Sequence, residues 1–317
     1  MDVILHLGAH RTASTSFQAY MRGNTRVLQG QGIGFWGPQR TRGGLLTGVI
    51  PVRGAGPAER QYLRASGRIA LACEKSARAG IRQLVVSDEN MIGAPRANLR
   101  ADSLYPQAGA RVRRYLDAFG GGVTQIALSI RSPELYWASC FAFAVMRGHA
   151  VPSAATLNRL TDSPRGWREV IADIACAAPG VPLMILTHEE FGSLPELRLW
   201  HMTGRRADPP DTHAREWLNR SPGLGALRAF LGERGEDPDL LPEGTGRWMP
   251  FARAAQAELK ERYADDLFWL RAGADGLARL ADTTGWNSGQ DGTQPPPGIG
   301  ERGRRNDEEV GRMVGHR

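Results

Sequence analysis

The sequence predicts an α/β fold with a mainly parallel central sheet flanked by helices, and three observations carry that prediction. Four short runs, Val3–Leu7, Gln83–Val86, Gln125–Ile130 and Leu183–Leu186, are apolar nearly throughout, as strands covered on both faces are. Helical stretches predicted at about 16–30, 58–80, 107–119, 134–147 and 167–177 alternate with them, the pattern of parallel strands joined by crossover helices. Each run also ends in a polar cluster: His10–Ser16, Ser87–Asn90, Arg131–Ser132 and Thr187–Glu190. Ligands of parallel sheets bind beyond the carboxyl ends of the strands, although any sheet that meets water needs polar strand ends too.

The elements follow in order. Val3–Leu7 stops at Gly8, and the polar Gly8–Ser16 segment gives way to a helix opening SFQAYM. The interval before the second run is long and contains the loop-like GQGIGFWGPQRTRGG, Gly30–Gly44. Gln83–Val86 and Gln125–Ile130 bracket the predicted helix 107–119. After the third run come Arg131, Ser132 and Pro133, and proline suits the first turn of a helix because its φ is preset and its missing N–H has no partner there anyway. Beyond Leu280 the chain turns to WNSGQDGTQPPPGIGERGRRNDEE, so residues 1–284 read as one α/β domain and 285–317 as a disordered tail.

Composition removes several classes of function. At 317 residues, 41% hydrophobic and 23% charged, the chain is globular rather than disordered. Its longest apolar stretch, Tyr136–Met146, falls short of the roughly 20 residues that span a bilayer. MDVILHLGAH has no basic n-region and does not read as a signal peptide. Cys73, Cys140 and Cys176 stand singly, without metal-ligand or redox spacing, which fits a reducing, cytoplasmic setting. Charge is uneven: residues 1–150 hold 19 basic and 8 acidic residues, net +11, while 151–317 carry a net of −4. Only Lys75 and Lys260 among the 40 basic residues are lysines. A basic half can serve nucleic acid, a membrane surface or a small polyanion. Its cations are dispersed and no groove-reading motif accompanies them, which disfavours nucleic acid.

The segment GAHRTASTS, Gly8–Ser16, carries the most chemistry. A glycine-containing turn opening into a helix presents backbone N–H groups at the positive end of the helix dipole, a setting that binds phosphate or sulfate. Thr12, Ser14, Thr15 and Ser16 add hydroxyls, although the same residue types also cap ordinary helices. Against the nucleotide-binding pattern G-x-x-x-x-G-K-[ST], Gly8 and Thr15 fit, but Ala13 stands for the second glycine and Ser14 for the lysine. The nearest cation is Arg11.

That displacement resembles the 5′-phosphosulfate loop of the sulfotransferases, whose glycan-type and bacterial members carry H-x-G-x-x-K-T-G-T-T-x-x-Q. His6, Gly8, Thr12, Thr15 and Gln18 match, with Arg11 for the lysine, Ala13 for the glycine and Ser14 for the first threonine of the pair. Family members also place an arginine after a later strand and a serine eight residues on, both on the donor's 3′-phosphate; Arg131 and Ser139 in IRSPELYWAS have that spacing. The alternative for this triplet is Ser132 as a helix cap with Arg131 a solvated strand end. Glu243–Leu267, EGTGRWMPFARAAQAELKERYADDL, resembles the family's K-G-x-x-G-D-W-K-N segment with its lysines lost, and Arg247 would restore charge toward the 3′-phosphate.

The resemblance implies a three-layer, P-loop-like fold and transfer of a sulfuryl group from 3′-phosphoadenosine 5′-phosphosulfate (PAPS) to an acceptor hydroxyl or amine on a carbohydrate or small molecule. The product would be adenosine 3′,5′-bisphosphate, and no metal is implied. Arg11 becomes a candidate catalytic cation, with Gly8, Arg11, Thr12, Ala13, Ser14, Thr15, Ser16, Arg131, Ser139 and Arg247 the donor-binding set. An arginine here acts electrostatically, since it does not give up a proton. A base must deprotonate the acceptor, and VVSDENMIG offers Glu89 first and Asp88 second; an acidic turn or cap is the structural alternative. His10 would shape the loop, and His188 and Glu189 would cap the helix that follows them. Trp36, Tyr136, Trp137 and Trp167 would line a sugar or aromatic site or sit in the core, and the acceptor pocket would be built around Gly30–Gly56 and Val151–Pro164. Two other readings are a P-loop nucleotide-dependent kinase and a PAPS- or nucleotide-binding protein without turnover.

Overall fold

Strand β1 (Asp2–His6) has apolar neighbours on both faces, and Val3 through His6 are buried. This places it in the middle of a parallel sheet. The computed structural model describes residues 1–284, of which 1–283 form one unit; the 285–317 segment expected to be disordered lies outside the described residues. Six strands, β1, β2 (Ile33–Trp36), β3 (Gln83–Ser87), β4 (Val123–Ile130), β5 (Leu183–Thr187) and β6 (Arg279–Leu280), form one sheet in the order β2-β3-β1-β4-β5-β6. Every pairing is parallel.

Two strands differ from the sequence expectation. β2 lies inside the glycine-rich stretch Gly30–Gly44 that reads as loop, because Ile33, Gly34 and Trp36 bury against β3 and pairing supplies the hydrogen bonds that local propensity does not. β6 is a two-residue edge on β5, too short to leave a periodic signal.

Helices flank the sheet. Those used below are α1 (Ser14–Gly23), α2 (Ala58–Arg78), α3 (Ala108–Ala118), α4 (Pro133–Val145), α5 (Trp167–Ala177), α6 (Pro195–Met202), α7 (Leu224–Glu233) and α8 (Arg253–Arg271). The predicted helix at 16–30 is two: Asn24 separates α1 from a short Thr25–Gly30 turn. α3 and α5 pack closely because Gly109 has no Cβ, which would come within 2.6 Å of the Asp173 carbonyl. α4 is apolar on nearly every side and is enclosed by the sheet core and α8. No helix among the described residues is long and apolar enough to cross a membrane.

Trp36, Tyr136, Trp137 and Trp167 all belong to the core, each at most 2% exposed. The acceptor role that the sequence left open for them is therefore set aside. Tyr136 and Trp167 pack around Tyr105 with their centroids 5.9 Å apart, while Trp137 packs on Tyr136 and Trp36 on Phe119.

From β1 the chain travels to one edge of the sheet, and from β4 onward to the other. The crevice beyond the ends of β1 and β4 is therefore the switch point, where open parallel sheets bind ligands. Register puts the polar clusters beside it. His6 is level with Ser87, so Asp88 and Glu89 follow level with the start of the loop after β1. Ile130 is level with Thr187, so Arg131 emerges beside His188.

Candidate anion-binding site

The loop after β1 is held by main-chain pairing up to Ala9, whose N–H donates to the Ser129 carbonyl at 2.9 Å. It then turns through left-handed conformations at Arg11 (φ 64°) and Ala13 (φ 60°), with Gly8 also at positive φ. Alternation of this kind exposes successive amides as an anion-binding concavity. Ala13 is the residue before α1, and the first helical bond runs from the Phe17 N–H to the Ala13 carbonyl at 3.1 Å. The N–H groups of Ser14, Thr15 and Ser16 therefore have no acceptor within the helix, and the helix dipole adds its positive end at the same place.

Arg11 and Ser139, separated by 128 positions, meet: Arg11 Nε donates to Ser139 Oγ at 2.7 Å. The same guanidinium donates through Nη2 to the Asn219 carbonyl and to Ser221 Oγ, both at 3.1 Å, and lies over the Phe143 ring. Arg147 covers that ring as well, 3.9 Å from its centroid. Arg131 joins the loop from behind, its Nη1 donating to the Arg11 carbonyl at 2.8 Å while its Nε has no partner. Burial and the Arg247 charge drive Arg131 down to about 10, with the Arg11 charge adding less and the Glu189 carboxylate working the other way. Burial also lowers Arg11, with Arg147 and Arg247 adding repulsion. Among the described residues neither Arg11, Arg131 nor Arg247 forms an ion pair. Guanidinium groups this close, one of them 95% buried, repel one another, and Glu189 offsets only part of the charge on Arg131.

The loop's own hydroxyls are disposed unequally. Thr12 Oγ1 turns inward to the Ala9 carbonyl at 2.5 Å and is fully buried. Ser14 is buried against Gly8, and a Cβ at Gly8 would fall 2.6 Å from Ser14 Oγ. Ser16 Oγ accepts from the Leu218 N–H at 2.9 Å, tying the 219–221 segment to α1. Thr15 is partly exposed at the mouth of the loop.

Glu89 and Asp88 follow β3 but are held differently. Asp88 is 4% exposed and accepts from Thr41 Oγ1 at 2.6 Å, Arg42 Nη2 at 2.7 Å, Arg42 Nε and the Asn90 N–H. Glu89 accepts one bond on each oxygen, from Arg42 Nη2 at 2.8 Å and from Gln18 Nε2 at 3.0 Å. Burial works to raise the Glu89 carboxyl, but the bond from Arg42 and its charge together hold it below the ordinary glutamate range. Gln18, the last matched residue of the sequence motif, also donates to Ser87 Oγ at 3.2 Å. It thus joins α1 to the carboxylate side of the crevice. His6 lies beneath: its ring nitrogens meet Ser87 Oγ and Ser129 Oγ, and burial pushes it down to about 3, so it stays neutral. His10 packs on Tyr105 and reaches Asn90 Oδ1 at 3.0 Å, shaping the loop as expected. Burial lowers it too.

One capping expectation is corrected. Glu189 does not cap the helix that follows it; its Oε1 accepts from the Ser132 N–H at 3.0 Å, at the start of α4, while Tyr263 donates to Oε2 at 2.9 Å. Ser132 bonds Glu134 rather than a backbone amide, and Glu189 from the short helix His188–Phe191 after β5 takes over at that end. The same junction receives Trp167, whose Nε1 donates to the Arg131 carbonyl at 2.7 Å.

Arg198 on α6 is a loop residue in function that the sequence did not single out. It is 1% exposed and donates to the Thr12 carbonyl at 2.8 Å and to the Phe191 carbonyl at 2.7 Å. Burial drives it down to about 10. Arg131 and Arg198 thus hold the consecutive carbonyls of Arg11 and Thr12. No spacing marks Arg198, because its partner is 186 positions away. Ser221 carried a weak signal, the turn-forming Asn-Arg-Ser-Pro-Gly at 219–223.

The fold and site together define an α/β protein with an all-parallel six-strand sheet and a loop flanked by arginines at its switch point. No protein-family model, curated protein or solved structure matches the chain.

Proposed function

We propose that the chain is a PAPS-dependent sulfotransferase that moves a sulfuryl group to an acceptor hydroxyl or amine on a carbohydrate or small molecule. The observation that carries this reading is the meeting of Arg11, Ser139 and Arg131 at one loop, with Arg247 adding charge and no carboxylate among the described residues in an ion pair with these arginines. Two sequence segments that match the family's two donor-contact motifs only by spacing are thus neighbours in space. The residues fit a donor with two separated anionic groups. Amides of Ser14–Ser16 and Arg11 serve the 5′-phosphosulfate, and Arg131, Arg247 and Ser139 serve the 3′-phosphate. The unpaired Nε of the buried Arg131 is the donor that such an anion would satisfy.

PAPS supplies a sulfuryl group already activated on a phosphate leaving group. The protein's share is position, charge and a place for one proton. The acceptor oxygen or nitrogen bonds to sulfur as the bond from sulfur to the 5′-phosphate oxygen breaks, and the acceptor proton passes to Glu89. Arg11 remains charged throughout and offsets the charge gathering on the leaving phosphate. Glu89 is preferred over Asp88 because it has an oxygen lone pair to spare on each side, whereas Asp88 already accepts from three residues in a buried position.

Thermal unfolding with adenosine 3′,5′-bisphosphate and with ADP tests the reading. At a hundred times its dissociation constant the bisphosphate adds about 2.7 kcal/mol. Stabilisation by ADP and none by the bisphosphate overturns the reading in favour of a nucleotide-dependent kinase.

A further inference from the structure

Between the edge strand β2 and α2 the chain makes a short irregular turn, Thr41–Leu45, broken by Gly44 at φ 119°. Thr41 and Arg42 at its start reach across to the end of β3. Thr41 Oγ1 and the Arg42 Nε and Nη2 groups all donate to Asp88, and Arg42 Nη2 then also donates to Glu89. One guanidinium therefore bridges two adjacent carboxylates just beyond the strand end, its Nη2 donating to both. Asp88 is almost fully buried and Glu89 somewhat less so, while the Arg42 side chain is 43% exposed. The anchored end of the arrangement is Asp88, and the adjustable end is Glu89.

We propose that Arg42 is a positioning residue: seated on Asp88, it holds Glu89 as an oriented, ionised carboxylate facing the acceptor. The inference rests on the sulfuryl-transfer reading for the word acceptor, but the geometry it uses does not. It also gives the two carboxylates distinct jobs, Asp88 as anchor and Glu89 as proton acceptor. Because Arg42 belongs to the segment between β2 and α2, the part of the chain that would contact the acceptor also sets the base.

The groups that face Glu89 are Arg42 from the turn, Asp88 beside it, His6 and His10 from β1 and its loop, Tyr105 ahead of α3, and Arg111, which holds the Asn90 and Met91 carbonyls. Of these, His6 is held neutral by burial, and His10 is lowered by it. Gln18 donates to Glu89 without charge. Arg42, which bonds Glu89 directly, is the strongest influence that favours the charged form, and its loss raises the carboxyl.

The test uses the full chain with Arg42→Gln and Arg42→Lys. A water-soluble carbodiimide with an amine couples to protonated carboxyls, and peptide mass spectrometry reads the modification at Glu89 across mildly acidic pH. In the native protein Glu89 resists labelling; in Arg42→Gln its labelling rises several-fold at the same pH, and Arg42→Lys restores resistance in part. In turnover assays the acid limb of the kcat profile moves to higher pH in Arg42→Gln, while KM for the donor stays put. Unchanged labelling of Glu89 in Arg42→Gln overturns the proposal, as does raised labelling with an unmoved acid limb. A merely structural role would lower the melting temperature and leave the labelling alone. Failure of the sulfuryl-transfer reading shows separately, as absence of bisphosphate binding by the native chain.

Discussion

Replacing Ala13 by glycine tests the loop geometry on which the anion site depends. Ala13 sits at φ 60° and ψ 26°, the left-handed conformation, immediately before α1. An L-residue there costs about 1–2 kcal/mol because its Cβ crowds the following carbonyl. Glycine removes that strain but returns entropy to the unfolded chain, which costs about 0.4–1 kcal/mol. The balance lies between no change and a stabilisation of about 1.6 kcal/mol, or an upward shift of the melting temperature by about 0–6 °C for a domain of this size. Calorimetry or dichroism on the native chain and the variant measures it. Gly8→Ala is the matched control: its new Cβ would fall 2.6 Å from Ser14 Oγ at a positive φ, so its melting temperature falls. A drop for Ala13→Gly as well would refute the left-handed assignment, and with it the outward turn of the Ser14–Ser16 amides.

The remaining predictions concern charge. Arg131→Met abolishes the preference for adenosine 3′,5′-bisphosphate over adenosine 5′-phosphate in thermal shift; retained preference would show that the 3′-phosphate lies elsewhere. Glu89→Gln binds the bisphosphate normally and transfers nothing, and undiminished turnover would assign the proton to another group. His6 is lowered from 6.5 to about 3 by burial, so below pH 6.5 the unfolded chain binds more protons than the folded one. Stability is then lost as pH falls from 6.5 toward 3, and His6→Asn should flatten that part of a melting-temperature profile; an unchanged slope would mean that His6 is protonated in the fold.

Much of this architecture is written in local pattern. β1, β3, β4 and β5 are runs of aliphatic residues without alternation, and a strand buried on both faces cannot look otherwise. Pro133 and the apolar α4 were equally plain, as was the Gly8–Ser16 loop with its helix. β2 was not, because Ile33-Gly34-Phe35-Trp36 is extended only through its partner β3. The capping of α4 by Glu189 was hidden for a similar reason: the preference of a serine next to a proline is local, and the carboxylate that overrode it arrives from the short helix after β5.

The site divides along the same line. By itself the sequence determined the α/β class, the loop after the first strand, and Arg11, Arg131 and Glu89 as residues of interest, since glycine turns, proline-started helices and charged strand ends depend on neighbours in the chain. It also determined an excess of +11 in the first 150 residues without saying where that charge would gather. Tertiary structure decided that Arg11 meets Ser139 and Ser221, that Arg131 and Arg198 hold consecutive loop carbonyls, and that Arg42 bridges Asp88 and Glu89. These contacts join residues between 46 and 210 positions apart. Only the order of the strands and their register bring such partners together, and neither leaves a trace in local spacing.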